Sequence, residues 1–174
     1  TIQSTGDAID FGNLTQARHN LSGCSSQSRA VFAGGANPGN QNTIDYVTIS
    51  TLGNAADFGD LTVARNGMQG TGCSNSIRGI FSAAETPSIL NVMDYITIAT
   101  LGNAKDFGDL VTARVYAGGC SSSTRAVIGG GGAPASVNII DYVQIMSTGD
   151  AIDFGDLSEV GTYLHALSNG HGGL

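Results

Sequence analysis

One short phrase limits what this chain can fold into more than any other feature. Gly102-Asn103-Ala104-Lys105-Asp106-Phe107-Gly108-Asp109-Leu110 returns, with small changes, from Gly6, from Gly53 and from Gly149. The central aspartates of the four copies, Asp10, Asp57, Asp106 and Asp153, lie 47, 49 and 47 residues apart. Self-similarity at such a period marks a repeat architecture, in which each unit buries its apolar face against its neighbours. The opening Thr1-Ile2-Gln3-Ser4-Thr5 matches Gln144-Ile145-Met146-Ser147-Thr148, so residues 1–31 and 144–174 share one phase. The expected organisation is one continuous domain: a partial repeat over 1–12, repeats over 13–59, 60–108 and 109–155, and a partial capping repeat over 156–174. Thr1 in place of Met predicts a longer parent with a further N-terminal part.

Each unit of about 48 residues reads as four short antiparallel strands. The first follows Leu14 to Arg18, or the similar Leu61 to Arg65 and Leu110 to Arg114, and runs to a small-residue cluster at Cys24, Cys73 or Cys120. The second is Arg29-Ala30-Val31-Phe32, echoed at Arg78 to Phe81 and Arg125 to Ile128, with adjoining apolar residues as in an inner strand covered on both faces. The third, Ile44-Asp45-Tyr46-Val47-Thr48-Ile49, recurs from Met93 and from Ile140, and its β-branched and aromatic residues favour a strand. The phrase itself supplies the fourth, with Phe11, Phe58, Phe107 and Phe154 as packing anchors. Between the second and third strands lie Gly- and Pro-bearing loops that differ most among the units. Variable loops on a constant scaffold are where recognition is placed.

Composition narrows the function classes. Hydrophobic residues make up 41% of the chain and alternate in order, which argues against disorder, while 26 glycines mark a turn-rich backbone. The net charge of −7 argues against nucleic acid, whose binding needs basic contacts to phosphate. No apolar run reaches the roughly 20 residues of a membrane span.

The candidate chemistry is repeat-locked, and so reads as structure. Cys24, Cys73 and Cys120 occupy matching positions, as small residues filling one pocket in each unit, without the short ligand spacings that zinc needs. His19, His165 and His171 do not follow the repeat, so no thiol gains a catalytic partner. The acidic triplets Asn54/Asp57/Asp60, Asn103/Asp106/Asp109 and Asp150/Asp153/Asp156, with Asp7/Asp10, place oxygens three residues apart. Calcium takes such ligands, but Asp and Asn also cap their own turns, and that reading is preferred. Arg18 and Arg29, Arg65 and Arg78, and Arg114 and Arg125 are expected to pair with the recurring aspartates between neighbouring repeats, a guanidinium bridging two backbones. Tyr46, Tyr95 and Tyr142 read as strand packing. Gly129 to Gly132 lacks the Lys-Ser/Thr of a phosphate loop. No catalytic residue, metal ligand or cofactor is assigned, and the ligand-binding residues stay unassigned.

Apolar strand, Gly-Gly, Asp-Tyr strand, aromatic, then Leu-x-x-Ala-Arg is an order that resembles kelch-type repeats, with the Phe of Asp-Phe-Gly standing where kelch blades carry Trp. The phrases Asp45-Tyr46-Val47-Thr48-Ile49, Gly-Asn-Ala-x-Asp-Phe-Gly-Asp-Leu and Ser168-Asn169-Gly170-His171-Gly172-Gly173-Leu174 are similar to kelch-like repeats in large virion proteins of tailed, especially marine, bacteriophages. The resemblance implies an all-β, propeller-like fold and a non-enzymatic virion module, a tail fibre or appendage that attaches to a host surface. Its implied partners are further copies of itself, other virion proteins or a host-surface glycan, with no membrane insertion. Repeat two departs by Ser82-Ala83-Ala84 in place of the glycine pair, and the last unit by Gly161 in place of Arg and Leu167 in place of Cys. Because the two ends overlap in phase, a three-sided β-prism or an intertwined fibre is the alternative fold. A glycan-binding or glycan-processing domain and a self-assembling extracellular filament subunit are the alternative functions.

Overall fold

The computed structural model describes residues 5–168; the Thr1 to Ser4 match and the closing Asn169 to Leu174 with His171 lie outside them. The described chain is all-β. β1 (Ser22–Ser25), β2 (Arg29–Ala33), β3 (Thr43–Thr48) and β4 (Ala56–Asp60) form the first sheet in that order. The second repeat supplies β5 (Cys73–Ser74), β6 (Arg78–Phe81), a small separate hairpin of β7 (Ala84–Glu85) and β8 (Ile89–Leu90), then β9 (Val92–Thr97) and β10 (Lys105–Asp109). Its sheet runs β5-β6-β9-β10. The third is β11 (Gly118–Ser121), β12 (Arg125–Gly129), β13 (Ile139–Gln144) and β14 (Ile152–Asp156), again in chain order. All neighbours are antiparallel, and equivalent registers recur: Val31 faces Tyr46, Ile80 faces Tyr95, and Val127 faces Tyr142.

The repeated phrase earns its constancy from a bulge. Gly59 pairs with Ile44 and Asp57 with Asp45, so Phe58 is the extra residue between them; Phe107 and Phe154 sit in the same interruption. A bulge re-aims one side chain. Here it turns the ring onto the tyrosine of the third strand, edge to face, with centroids 5.9, 5.9 and 5.8 Å apart for Tyr46–Phe58, Tyr95–Phe107 and Tyr142–Phe154. The preceding aspartate caps the kink, since the N–H groups of Gly12, Gly108 and Gly155 donate to Asp10, Asp106 and Asp153. The glycine is required by closeness: a Cβ on Gly59 would lie 2.5 Å from the carbonyl of Gly102 in the next phrase.

Two cores lie between the three sheets. Val31, Ile44 and Phe58 of the first meet Met68, Phe81, Ile96 and Ile98 of the second. On the opposite face of the second sheet, Cys73, Ile80, Met93 and Phe107 meet Ala126, Ile128, Val143 and Ile145 of the third. The middle sheet is therefore covered on both faces. The first strands of successive sheets are tied by serines, with Ser74 Oγ donating to the Ser25 carbonyl at 2.8 Å, Ser121 Oγ to Ser74 at 2.8 Å and Ser168 Oγ to Ser121 at 2.7 Å.

The strand assignment departs from the sequence-based expectation at two places. The first copy of the phrase, expected as a fourth strand, is not a strand, because the third strand it would pair with has no counterpart among the described residues. The second variable loop, read from the sequence as a turn-bearing loop and not as strand, contains the β7–β8 hairpin.

Candidate functional site

The loops between second and third strands and the segments that follow the phrases emerge at one end of the sheets. Each loop springs from a buried clamp. Arg18, Arg65 and Arg114 pair with Asp45, Asp94 and Asp141 at 2.9, 3.1 and 3.0 Å, with every one of these side chains fully buried. The same guanidiniums donate to the carbonyls of Phe32, Phe81 and Ile128 at the end of the second strand. Arg18 also reaches the Thr43 carbonyl at 2.6 Å, spanning the base of its loop. Burial lowers the pKa of each arginine, opposed by its aspartate.

These partners correct the expected pairing. The ion pairs form within a repeat and use the aspartate of the third strand, because the antiparallel register brings that residue beside the end of the second strand. The phrase aspartates take no part in them. It is Arg29 and Arg78 that bridge repeats, donating to Ile98 and Ile145 carbonyls of the next unit at 2.8 and 3.1 Å while lying over Tyr46 and Tyr95. Arg125 lies over Tyr142 and is exposed.

Two of the three clamps are completed by a hydroxyl. Thr15 and Thr62 donate to Asp45 Oδ1 and Asp94 Oδ1, each at 2.6 Å. The third repeat has Leu110-Val111-Thr112 where the second has Leu61-Thr62-Val63, so the threonine is displaced by one position. Val111 gives only its N–H to Asp141 Oδ2, and the buried Oδ1 has no donor among the described residues. Burial raises the pKa of Asp141.

Above the clamps the loops share one skeleton beneath different side chains. Pro38, Pro87 and Pro134 stand exposed at equivalent tips, and each is spanned by a backbone hydrogen bond of 2.7 to 2.9 Å, from Asn37 to Gly39, Thr86 to Ser88 and Ala133 to Ala135. The residue after each clamp arginine pairs with its loop: His19 with Ala36, Asn66 with Glu85 and Val115 with Gly132. The next residue along takes a left-handed conformation in all four units: Asn20 at φ 58°, Gly67 at 74°, Tyr116 at 56° and Tyr163 at 56°. Such backbone is uncommon for tyrosine, and strained residues cluster at recognition sites.

Here polar side chains converge across repeats. Asn66 donates to Asn40 Oδ1 at 2.6 Å, and the Tyr116 hydroxyl donates to Glu85 Oε1 at 3.2 Å. Tyr116 stacks on Tyr163 with centroids 4.3 Å apart, and Tyr163 is 65% exposed. Burial, then the Glu85 charge, pushes the Tyr116 hydroxyl up to about 12. Asn40 and Glu85 lie in the variable loops that the sequence marks for recognition, whereas Asn66, Tyr116 and Tyr163 were not singled out; the signal for the tyrosines is their place two residues after Arg114 and after the Gly161 that replaces the arginine in the last unit.

The cysteines pack. All three are free thiols; Cys73 donates to the Cys120 carbonyl at 3.4 Å, and burial pushes Cys24 up to about 12, leaving it protonated at neutral pH. Compared with protein-family models and with curated proteins, the chain matches none.

Proposed function

We propose that this chain is a non-enzymatic structural and adhesion module of a phage virion, a kelch-like, propeller-type scaffold that presents its loop end to a host surface. The observation that carries this reading is the division of labour within each repeat. A buried Arg–Asp clamp repeats at the base of every loop, while Asn37 to Asn40, Thr86 to Ile89 and Ala133 to Ser136 differ around a common proline tip. A clamp of this kind makes the loops interchangeable without cost to the core.

The test exchanges residues 36–42, 83–90 and 131–137 and reads attachment to host cells beside thermal melting. Attachment should change while the melting temperature stays near that of the parent. Loop changes that unfold the protein and leave attachment untouched refute the proposal.

The glycan-binding alternative is favoured by one feature, the exposed Tyr163 face stacked on Tyr116 beside Glu85 and two side-chain amides. A sugar ring stacks on such a face while its hydroxyls bond to the carboxylate and amides. The two readings meet if the host receptor is a surface saccharide.

A further inference from the structure

The third and fourth strands of each unit are joined at the end of the sheets opposite the loops, and in the second unit that connection walls an open pocket of about 430 Å³. Tyr95 and Thr97 of β9, Thr100 and Asn103 of the connection, Lys105 of β10 and Arg78 of β6 line it. Strand register gathers them. Lys105 pairs with Tyr95 and Arg78 with Thr97, so the two cations stand on the strands either side of the tyrosine, and the Arg78 guanidinium lies 4.4 Å from the centre of its ring.

The third unit builds the same pocket position for position, from Tyr142 to Ile152, at about 350 Å³. Its charge is the reverse. Ile152 stands where the second unit has Lys105, and Asp150 where it has Asn103; the first unit has Ala56 at the place of the lysine. Lys105 is the single lysine of a chain with net charge −7, and it is exposed. Even so, among the described residues neither Lys105 nor Arg78 has a carboxylate within ion-pair distance, because the ion pairs are those of the clamps. Arg78 gives one N–H to the Ile145 carbonyl at 3.1 Å, and the Asn103 side-chain oxygen accepts from the Asp60 N–H at 3.1 Å. Further guanidinium N–H groups, an amide NH2 and a whole ammonium group are left to donate.

We propose that the pocket of the second unit binds an acidic sugar, a pyranose ring that carries one carboxylate. The Lys105 ammonium and the Arg78 N–H groups not held by Ile145 donate charge-assisted hydrogen bonds to the carboxylate. The ring hydroxyls exchange hydrogen bonds with Thr97, Thr100 and the Asn103 amide. The volume is in the range of small-molecule sites, roughly 300 to 1,000 Å³. A bare inorganic anion would occupy only the part of the pocket beside the cations and leave the threonines and the amide unused. The pocket lies at the end away from the loops, so this contact goes beyond the proposed loop recognition. It is read on purified protein without a host surface, and its failure leaves the loop test standing.

The experiment follows the backbone amide signals of the purified protein by NMR as sodium glucuronate is added, with methyl glucoside and sodium sulfate as comparisons, all at an ionic strength of about 0.15 M. Glucuronate should shift the signals of residues 97–105 to saturation and leave 144–152 in place, since Asp150 repels a carboxylate there. Methyl glucoside, which lacks the charge, and sulfate, which lacks the ring, should each bind more weakly. Lys105→Ile and Lys105→Ala install what positions 152 and 56 already carry at the same place in the fold, so both should melt as the parent does. Each should weaken glucuronate at least about tenfold, the loss expected for one charged hydrogen bond. The proposal is overturned if residues 97–105 show no saturable shift, if 144–152 respond equally, if methyl glucoside or sulfate binds as tightly as glucuronate, or if both lysine variants bind as the parent does.

Discussion

The displaced threonine of the third repeat can be put back without changing the composition of the chain. Val111→Thr together with Thr112→Val restores the Leu-Thr-Val order of the second repeat. The new hydroxyl then stands where Thr62 donates to Asp94 Oδ1 at 2.6 Å, and the orphaned Asp141 Oδ1 gains its donor. A hydrogen bond to a charged group contributes about 1.5 to 3 kcal/mol, and position 111 is 54% exposed, so solvent competition reduces the gain to about 1 kcal/mol. For a domain of this size that is a rise of about 2 to 4 °C in Tm.

The gain also has a pH signature. Burial raises Asp141's pKa in the folded state, so the folded form holds that proton to higher pH than the unfolded chain does. The group's contribution to stability is full at low pH and is lost as pH rises through the folded value. The added hydroxyl favours the carboxylate and lowers the folded pKa. The stabilisation of the exchanged chain is therefore present at neutral pH and vanishes in acid, where Asp141 is protonated in both chains. Thermal melts of parent and exchanged chain across pH, with Thr62→Val as the reciprocal loss of about 1 kcal/mol in the second repeat, are the assay. A Tm unchanged or lowered at neutral pH, a gain that persists undiminished in acid, or a Thr62→Val chain as stable as the parent refutes the reasoning.

Two further outcomes follow from burial. Phe107→Ala should cost about 3 to 5 kcal/mol in chemical denaturation, whereas Phe154→Ala, at a ring 57% rather than 2% exposed, should cost clearly less; equal losses would mean that packing of the bulged ring against Ile128, Val143 and Ile145 of the following sheet is not what it contributes. In a spectrophotometric titration one of the five tyrosines should ionise late, near 12 against the usual 10, and Glu85→Gln should bring it down. Because the folded state keeps the Tyr116 proton, its stabilising share is complete below pH 10 and is lost as pH rises toward 12; a single tyrosine transition at 10 would count against the Tyr116–Glu85 contact.

The repeat itself was readable because its signals are local. The β-branched and aromatic run from Ile44 to Ile49 and the Arg-Ala-Val-Phe run became β3 and β2, and their copies followed. The Asp-Phe-Gly phrase marked the fourth strand, although nothing local says that its phenylalanine is the extra residue of a bulge. The arginine partners were not readable, since each unit holds several aspartates and only strand register selects Asp45 for Arg18. The first phrase looks like a strand as well as the others do; pairing makes a strand, and its partner strand has no counterpart among the described residues. The Asn40, Asn66, Glu85 and Tyr116 cluster was hidden because its members come from three repeats and meet only when the sheets stack.

Successive phrases are joined by main-chain groups, the N–H of Gly53, Gly102 and Gly149 donating to the carbonyls of Phe11, Phe58 and Phe107, and by one side-chain oxygen, that of Asn54, Asn103 or Asp150, which asparagine and aspartate supply equally. Any unit can therefore follow any other. Excision of 61–109 in one piece would join Asp60 to Leu110 and hand the first sheet's outer strand directly to Gly149, with the same donors meeting the same acceptors. Duplication would lengthen the array just as cleanly, while an insertion of any other length would bring residues with a Cβ into the glycine approach. Recombination between copies of such a coding sequence is thus tolerated only in whole modules, and loop sequences are reshuffled with them as complete cassettes.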